Sequence, residues 1–144
     1  MAIAGSPIEI LLVEDNPADV RLTMEALKDT RVANRLHVAR DGVEAITMLK
    51  DDTGTVPRPD LILLDLNLPR KDGREVLREI KEDDRLRHIP VVILSTSQAE
   101  QDIVQSYRLR ANAFITKPVE IEQFFQAFRS IELFWLELAK LARP

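Results

Sequence analysis

Short apolar runs alternate five times with stretches of helical periodicity, and this alternation constrains the fold more than any other feature. A chain of this pattern forms parallel strands that are joined by right-handed helical crossovers. We therefore predict an α/β protein with helices on both faces of a parallel sheet. The predicted strands lie near residues 8–13, 34–39, 60–65, 90–95 and 112–116, and the predicted helices near residues 17–29, 42–51, 73–81, 99–109 and 120–142.

The composition is that of one globular domain. Apolar residues make up 45% of the 144 residues, which is enough for a core, so we interpret residues 1–144 as a single domain. The 20 basic and 24 acidic residues leave a net charge of −4, and the basic clusters are short, so we expect no DNA binding. The chain has no cysteine, which excludes disulfides and thiolate metal sites and fits a cytoplasmic location.

We also expect no association with a membrane. No apolar run approaches the roughly 18 residues that a membrane-spanning helix needs. Residues 1–7 lack the basic start and the long apolar core of a secretion signal.

Three carboxylates stand where two of the predicted strands end. Asp65 ends the apolar run 61–64, which is typical of a central strand, and Glu14 and Asp15 follow the run 8–13. Ligands of open α/β sheets bind at the carboxyl ends of the strands, so we expect these acids to meet there. Crowded carboxylates repel one another unless a cation joins them. Oxygen ligands combined with water and phosphate favour Mg²⁺.

The sequence leaves two questions about the ligands of this metal site. The backbone carbonyl of Asn67 is a candidate for a further oxygen ligand. Alternatively, Glu14 and Asp15 only favour the start of the following helix, as acidic residues often do. Asp65 is less open to that interpretation, because the next predicted helix begins well downstream at Gly73.

Two other polar residues follow or end predicted strands. Lys117 follows the fifth strand, where its ammonium group can pair with a carboxylate or a phosphoryl oxygen. The alternative is an ordinary surface lysine. Ser95 ends the fourth strand, where its hydroxyl can bind a phosphoryl oxygen, although Thr96 and Ser97 compete for that role. The alternative is that this Ser-Thr-Ser segment only caps the next helix.

The chain carries, in this order, an acidic pair, a strand-end Asp, a strand-end Ser and Lys117-Pro118. This order of motifs resembles that of the receiver domain of two-component response regulators. The resemblance covers about residues 7–130. It implies a doubly wound, flavodoxin-like fold with five parallel strands in the order 2-1-3-4-5. The five predicted helices fit this fold, and we expect the last of them to extend beyond it over about residues 131–142.

The resemblance implies that Asp65 is the phosphoacceptor and that a sensor histidine kinase is the phosphodonor. It further implies that Mg²⁺ is bound directly by Asp15, by Asp65 and by the backbone carbonyl of Asn67, and through water by Glu14. Glu14 departs from the commonest pattern of the family, in which an Asp stands at this position.

The remaining roles implied by the resemblance concern the response to phosphorylation. Ser95 is the switch hydroxyl, Phe114 is the switch aromatic residue, and Lys117 contacts the phosphoryl group. Phe114 lacks the hydroxyl of a switch tyrosine, so its rotation would be transmitted through packing alone.

A more specific likeness is carried by the central segment and the end of the chain. Residues 58–69 and 71–77, together with residues 131–137, resemble single-domain regulators that are paired with bacterial phytochromes. We therefore expect a stand-alone receiver that signals by a conformational switch and by association with a partner or with itself. It would catalyse its own phosphorylation and dephosphorylation, without a separate output enzyme domain.

All aromatic residues lie in the last part of the chain, from Tyr107 onward. A helix over residues 120–142 would be about 34 Å long, which exceeds the length of a small sheet. We predict a homodimer through the fourth and fifth helices, because large apolar patches on monomers are uncommon. The alternative is an ordinary core helix with a frayed end. The candidate interface residues are Tyr107, Phe125, Phe134, Trp135 and Leu136.

Two rival functions would use part of the same set of residues. A small Mg²⁺-dependent phosphatase also uses a strand-end Asp as its nucleophile, but it usually needs a second acid two residues later, where this chain has Asn67. A constitutive interaction module would not need the full set of site residues.

Overall fold

The sheet consists of five parallel strands. The structure is a computed structural model that describes residues 7–29, 33–95 and 113–116, and residues 126 and 129. Its strands are in the spatial order β2-β1-β3-β4-β5, which is the order predicted for them. They are β1 (Ile8–Val13), β2 (Asn34–Ala39), β3 (Leu61–Asp65), β4 (Val91–Ser95) and β5 (Ala113–Thr116).

Three helices are described in full, and a side chain caps the start of each. They are α1 (Pro17–Lys28), α2 (Gly42–Leu49) and α3 (Gly73–Glu82). Asn16 accepts hydrogen bonds from the first turn of α1, Asp41 from that of α2 and Asp72 from that of α3. Such caps satisfy backbone N–H groups that have no partner inside the helix.

Helix α2 ends two residues earlier than the sequence predicts. The carboxylate of Asp51 accepts backbone hydrogen bonds from Thr53 at 3.2 Å and from Val56 at 3.0 Å. These local bonds give the backbone an alternative to the helix, as Asp side chains often do, so the chain turns away into the loop before β3.

The predicted fourth and fifth helices fall almost wholly outside the described residues. Residues 126 and 129 are helical, and a guanidinium nitrogen of Arg129 lies 3.2 Å from Oδ2 of Asp29, directly after α1. The number of helices and the extension over residues 131–142 therefore stay predictions.

The core has two layers, one on each face of the sheet. Alternate residues of each strand point to opposite faces, so β1, β3 and β4 contribute to both layers. The first layer packs against α1, and the second packs against α2 and α3. All five residues of β3 are buried, as expected for a central strand that is covered on both faces. Among the described residues, no helix is long and apolar enough to cross a membrane.

Helix α3 begins in direct contact with the end of β3. A Cβ atom at Gly73 would clash with the backbone oxygen of Asp65 and would lie 2.6 Å from Cα of Leu66. The backbone N–H of Gly73 also donates to the carbonyl of Leu66 at 3.0 Å. Only glycine fits here without a shift of backbone, so Gly73 fixes where the chain returns after the strand that carries Asp65.

Candidate functional site

Three carboxylates meet at the carboxyl edge of the sheet. Glu14 and Asp15 follow β1, and Asp65 ends β3, which pairs with β1 up to the partners Val13 and Leu64. One carboxylate oxygen from each of the three acids lies within 4.8 Å of the other two. Glu14 is 1% exposed and Asp65 is 5% exposed, whereas Asp15 is open to solvent. The predicted meeting of these acids is therefore observed.

Backbone N–H groups hold the two buried carboxylates. Oε2 of Glu14 accepts a hydrogen bond from the N–H of Asn16 at 3.3 Å, and Oδ1 of Asp65 accepts one from the N–H of Asn67 at 2.9 Å. The backbone N–H of Glu14 donates to the carbonyl of Ala39 at 2.9 Å, which ties its main chain to the end of β2. Each buried acid is thus oriented by the loop that follows its strand.

The acid cluster fits a small divalent cation. Carboxylate oxygens are the ligands that Mg²⁺ and Ca²⁺ prefer, and Mn²⁺ accepts them as well. Mg²⁺ binds its six ligands at about 2.0–2.1 Å, so two ligand atoms lie about 3–4 Å apart. All separations here lie within 4.8 Å, so the three acids can hold such an ion together, directly or with one ligand that acts through water. Among the described residues this is the one group of three acids that fits a metal ion.

Two predicted switch residues have described backbone positions. Ser95 is the last residue of β4 and pairs with Thr116, one strand away from Asp65. Phe114 lies in β5 and pairs with Ile93. The backbone of Ser95 is therefore at the same edge of the sheet as the acid cluster.

The other predicted site residues lie outside the described residues. They are Lys117 and the candidate interface residues Tyr107, Phe125, Phe134, Trp135 and Leu136. Their roles stay predictions.

Sequence reasoning missed two features of the loops that follow the strands. The first is Asn16, whose side chain caps α1 and whose backbone N–H also orients Glu14. The second feature is an ion pair between Arg70, in the loop after β3, and Asp41, at the start of α2. The N–H of Glu44, which is bonded to the carboxylate, lowers the pKa of Asp41, and Arg70 lowers it further. No sequence signal links positions that far apart in the chain.

The five-stranded fold and the acid cluster at its carboxyl edge define a receiver domain of the response-regulator type. The sequence agrees, because residues 10–129 match the family described as the response regulator receiver domain. The chain belongs to this family.

Several known proteins are similar to the chain over nearly its whole length. Response regulator Rcp1 of Synechocystis sp. is 48% identical over 140 residues, covering 96% of this chain and 95% of Rcp1. The crystal structure of the phosphorylated cyanobacterial phytochrome response regulator RcpA is 51% identical, with a TM-score of 0.85, and the match covers 93% of this chain and 97% of RcpA. The Mn²⁺-bound form of Rcp1 is 49% identical, with a TM-score of 0.83 and coverage of 91% and 96%. The predicted likeness to phytochrome-associated regulators is confirmed.

Proposed function

We propose that this receiver accepts a phosphoryl group from a sensor histidine kinase onto Asp65 in the presence of Mg²⁺. The observation that carries the proposal is the cluster of Asp65 with Glu14 and Asp15, whose oxygens lie within 4.8 Å of one another. One similar structure is of a phosphorylated regulator and another is of an Mn²⁺-bound one, which supports the proposal.

The cation site uses four groups of the chain. Asp15 and Asp65 would hold the ion through carboxylate oxygens, Asn67 would add its backbone carbonyl, and Glu14 would contribute indirectly. When bound, the cation neutralises the carboxylates and the oxygens of an incoming phosphoryl group. The exposure of Asp15 leaves its carboxylate accessible to arriving ions.

The chemical step forms a bond between a carboxylate oxygen of Asp65 and phosphorus. The bond between phosphorus and the histidine nitrogen of the kinase breaks, and the imidazole leaves with its electron pair. The hydrogen bond from Asn67 to Oδ1 keeps the Asp65 carboxylate in one orientation for this attack. Lys117 contacts the transferred phosphoryl oxygens as a point charge.

The signal and its decay follow from the same site. Ser95 moves toward the phosphoryl group, and Phe114 responds through packing, which shifts an existing conformational equilibrium. Attack by water on phosphorus then restores the Asp65 carboxylate and releases inorganic phosphate. The chain thus catalyses its own phosphorylation and dephosphorylation.

The partners in this proposal are a phytochrome-type histidine kinase and a second copy of the chain. The kinase type is suggested by the regulators to which the chain is similar. The homodimer forms through the fourth and fifth helices, in a cytoplasmic setting that the absence of cysteine fits.

The proposal is tested by the intact mass of the protein after incubation with Mg²⁺ and acetyl phosphate. We expect a gain of one phosphoryl group in the parent protein and in Asp84→Asn, whose carboxylate lies after α3 and is exposed. Asp65→Asn should show no gain. An equal gain in Asp65→Asn would contradict the proposal, and rapid hydrolysis of many phosphomonoesters would instead favour a phosphatase.

A further inference from the structure

The loop between Asp65 and α3 contains an unusual backbone conformation. Arg70 has a φ of 66°, and it is the only residue other than glycine with positive φ among the described residues. L-amino acids with long side chains rarely adopt this left-handed region, where glycine is the usual residue. Such a conformation persists only where the surroundings hold it, and it is often found close to functional sites.

The side chain of Arg70 holds this conformation through Asp41. Its guanidinium group lies 3.2 Å from Oδ2 of Asp41. Oδ1 of Asp41 accepts the backbone N–H of Glu44 at 2.8 Å, which fixes the carboxylate at the start of α2. Asp41 is only 16% exposed, so Arg70 is attached to a carboxylate that itself has a defined position.

Backbone packing joins the same loop to the same helix. A Cβ atom at Gly42 would clash with the backbone oxygen of Lys71 and would lie 2.7 Å from its Cβ atom. The ammonium group of Lys71 pairs in turn with Glu79 of α3. The loop is therefore held from one side by the start of α2 and from the other by α3.

We propose that Arg70 is a positioning residue for the cation and phosphoryl site. Through its left-handed backbone and its ion pair with Asp41, it holds Asn67, three residues earlier, where the N–H reaches Asp65 and the carbonyl serves the cation. This role rests on the proposed function of the acid cluster. An ion pair whose arginine is 63% exposed adds little stability by itself, so the effect should be seen in the site rather than in the fold.

Three substitutions separate the contribution of the ion pair from that of the left-handed backbone. Arg70→Gly removes the ion pair but tolerates the left-handed backbone. Asp41→Asn removes the negative charge but keeps a side chain that can cap α2. Arg70→Lys keeps a positive charge at position 70. The matched control is Asp84→Asn, which breaks an ion pair with Arg87, also 3.2 Å long, just after α3.

The readouts are the Kd for Mg²⁺ by calorimetry and the Tm without metal. Substituting a group that orients a metal ligand typically changes the metal affinity by about 10–100-fold. Arg70 acts on Asn67 only through the backbone of the loop, so its effect should be smaller. We therefore expect Arg70→Gly and Asp41→Asn to weaken Mg²⁺ binding by about three- to tenfold, with little change in Tm. Arg70→Lys should recover most of the affinity. The double variant should be no weaker than the worse single variant, because both remove the same interaction.

An unchanged Kd in both Arg70→Gly and Asp41→Asn, or an equal loss in Asp84→Asn, would overturn the inference. A fall in Tm without a change in Kd would do the same, since it would mark a purely structural pair. If Arg70→Gly does not fold, Asp41→Asn and Arg70→Lys decide the outcome. A parent protein that neither binds Mg²⁺ nor gains a phosphoryl group on Asp65 would overturn the proposed function as well, which distinguishes the two failures.

Discussion

The backbone N–H of Asn67 donates a hydrogen bond to Oδ1 of Asp65 at 2.9 Å. This bond couples the conformation of the loop after β3 to the orientation of the carboxylate at the end of β3. Glu14, directly after the neighbouring strand β1, is held in the same way by Asn16. Loop conformation and acid geometry are therefore linked at both strand ends.

Mg²⁺ should raise the Tm of the parent protein, because the acid cluster exists only in the folded state. At a free concentration of 100 times its Kd, a ligand stabilises the folded state by about 2.7 kcal/mol. Asp15→Asn removes the exposed carboxylate of the cluster and should abolish most of the shift in a thermal melt. A shift of the same size in Asp15→Asn would place the ion elsewhere.

Asp65→Asn should stabilise the protein when Mg²⁺ is absent. The substitution removes one negative charge from three carboxylates whose oxygens lie within 4.8 Å of one another. Two unit charges at 4 Å repel by about 1 kcal/mol even in water, so we expect a gain of about that size in urea unfolding with a chelator present. The gain should disappear at saturating Mg²⁺. A loss of stability in the chelator would show that Asp65 is held by attraction rather than strained by repulsion.

Gly73→Ala should disturb the site as well as the fold. Its Cβ atom meets backbone of Asp65 and Leu66, so the end of β3 must shift, at a cost of about 1–3 kcal/mol or more. Gly54→Ala is the control, because Gly54 has a φ of 84° but open space around it and lies in the loop before β3. Its left-handed backbone costs about 1–2 kcal/mol. Only Gly73→Ala should weaken Mg²⁺ binding, and equal weakening in Gly54→Ala would contradict the account.

Asp51 should make stability depend on pH in the acid range. The hydroxyl of Thr53, together with the backbone N–H groups of Thr53 and Val56, lowers the pKa of Asp51 below its ordinary value of 3.8. A carboxylate with a lowered folded-state pKa stabilises the fold above pH 3.8, and this stabilisation is lost as the pH falls through the folded-state pKa. Asp51→Ala should flatten this part of the profile in urea unfolding at a series of pH values. An unchanged profile would mean that the loop bonds do not form in solution.

The dimer prediction is tested by light scattering. Phe134→Asp should convert dimers to monomers, because it places a charge in the predicted apolar interface. Met24→Asp is the matched control, since Met24 is an exposed apolar residue on α1, with 41% of its surface accessible. A monomeric parent protein, or dissociation by Met24→Asp alone, would contradict the predicted surface.

The sheet and the acid cluster were predictable for a physical reason. Runs such as 61–64 have the composition of buried strands, and parallel strands bring their carboxyl ends to one edge, so Asp65 and Glu14 had to lie close together. The ion pair of Arg70 with Asp41 was not predictable, because it depends on how the loop after β3 packs on α2. Sequence periodicity also does not indicate that an arginine will adopt the left-handed backbone conformation. The end of α2 was misplaced for a related reason, since the bonds of Asp51 to Thr53 and Val56 compete with the helix.

The central claim is that Asp65 forms an acyl phosphate. The most direct measurement is to treat the protein with Mg²⁺ and acetyl phosphate, reduce it with borohydride, which converts an aspartyl phosphate to homoserine, and locate the homoserine by peptide mass spectrometry. The account predicts homoserine at position 65, and none when a chelator removes Mg²⁺. Homoserine at another aspartate, or the same amount at position 65 without Mg²⁺, would contradict it.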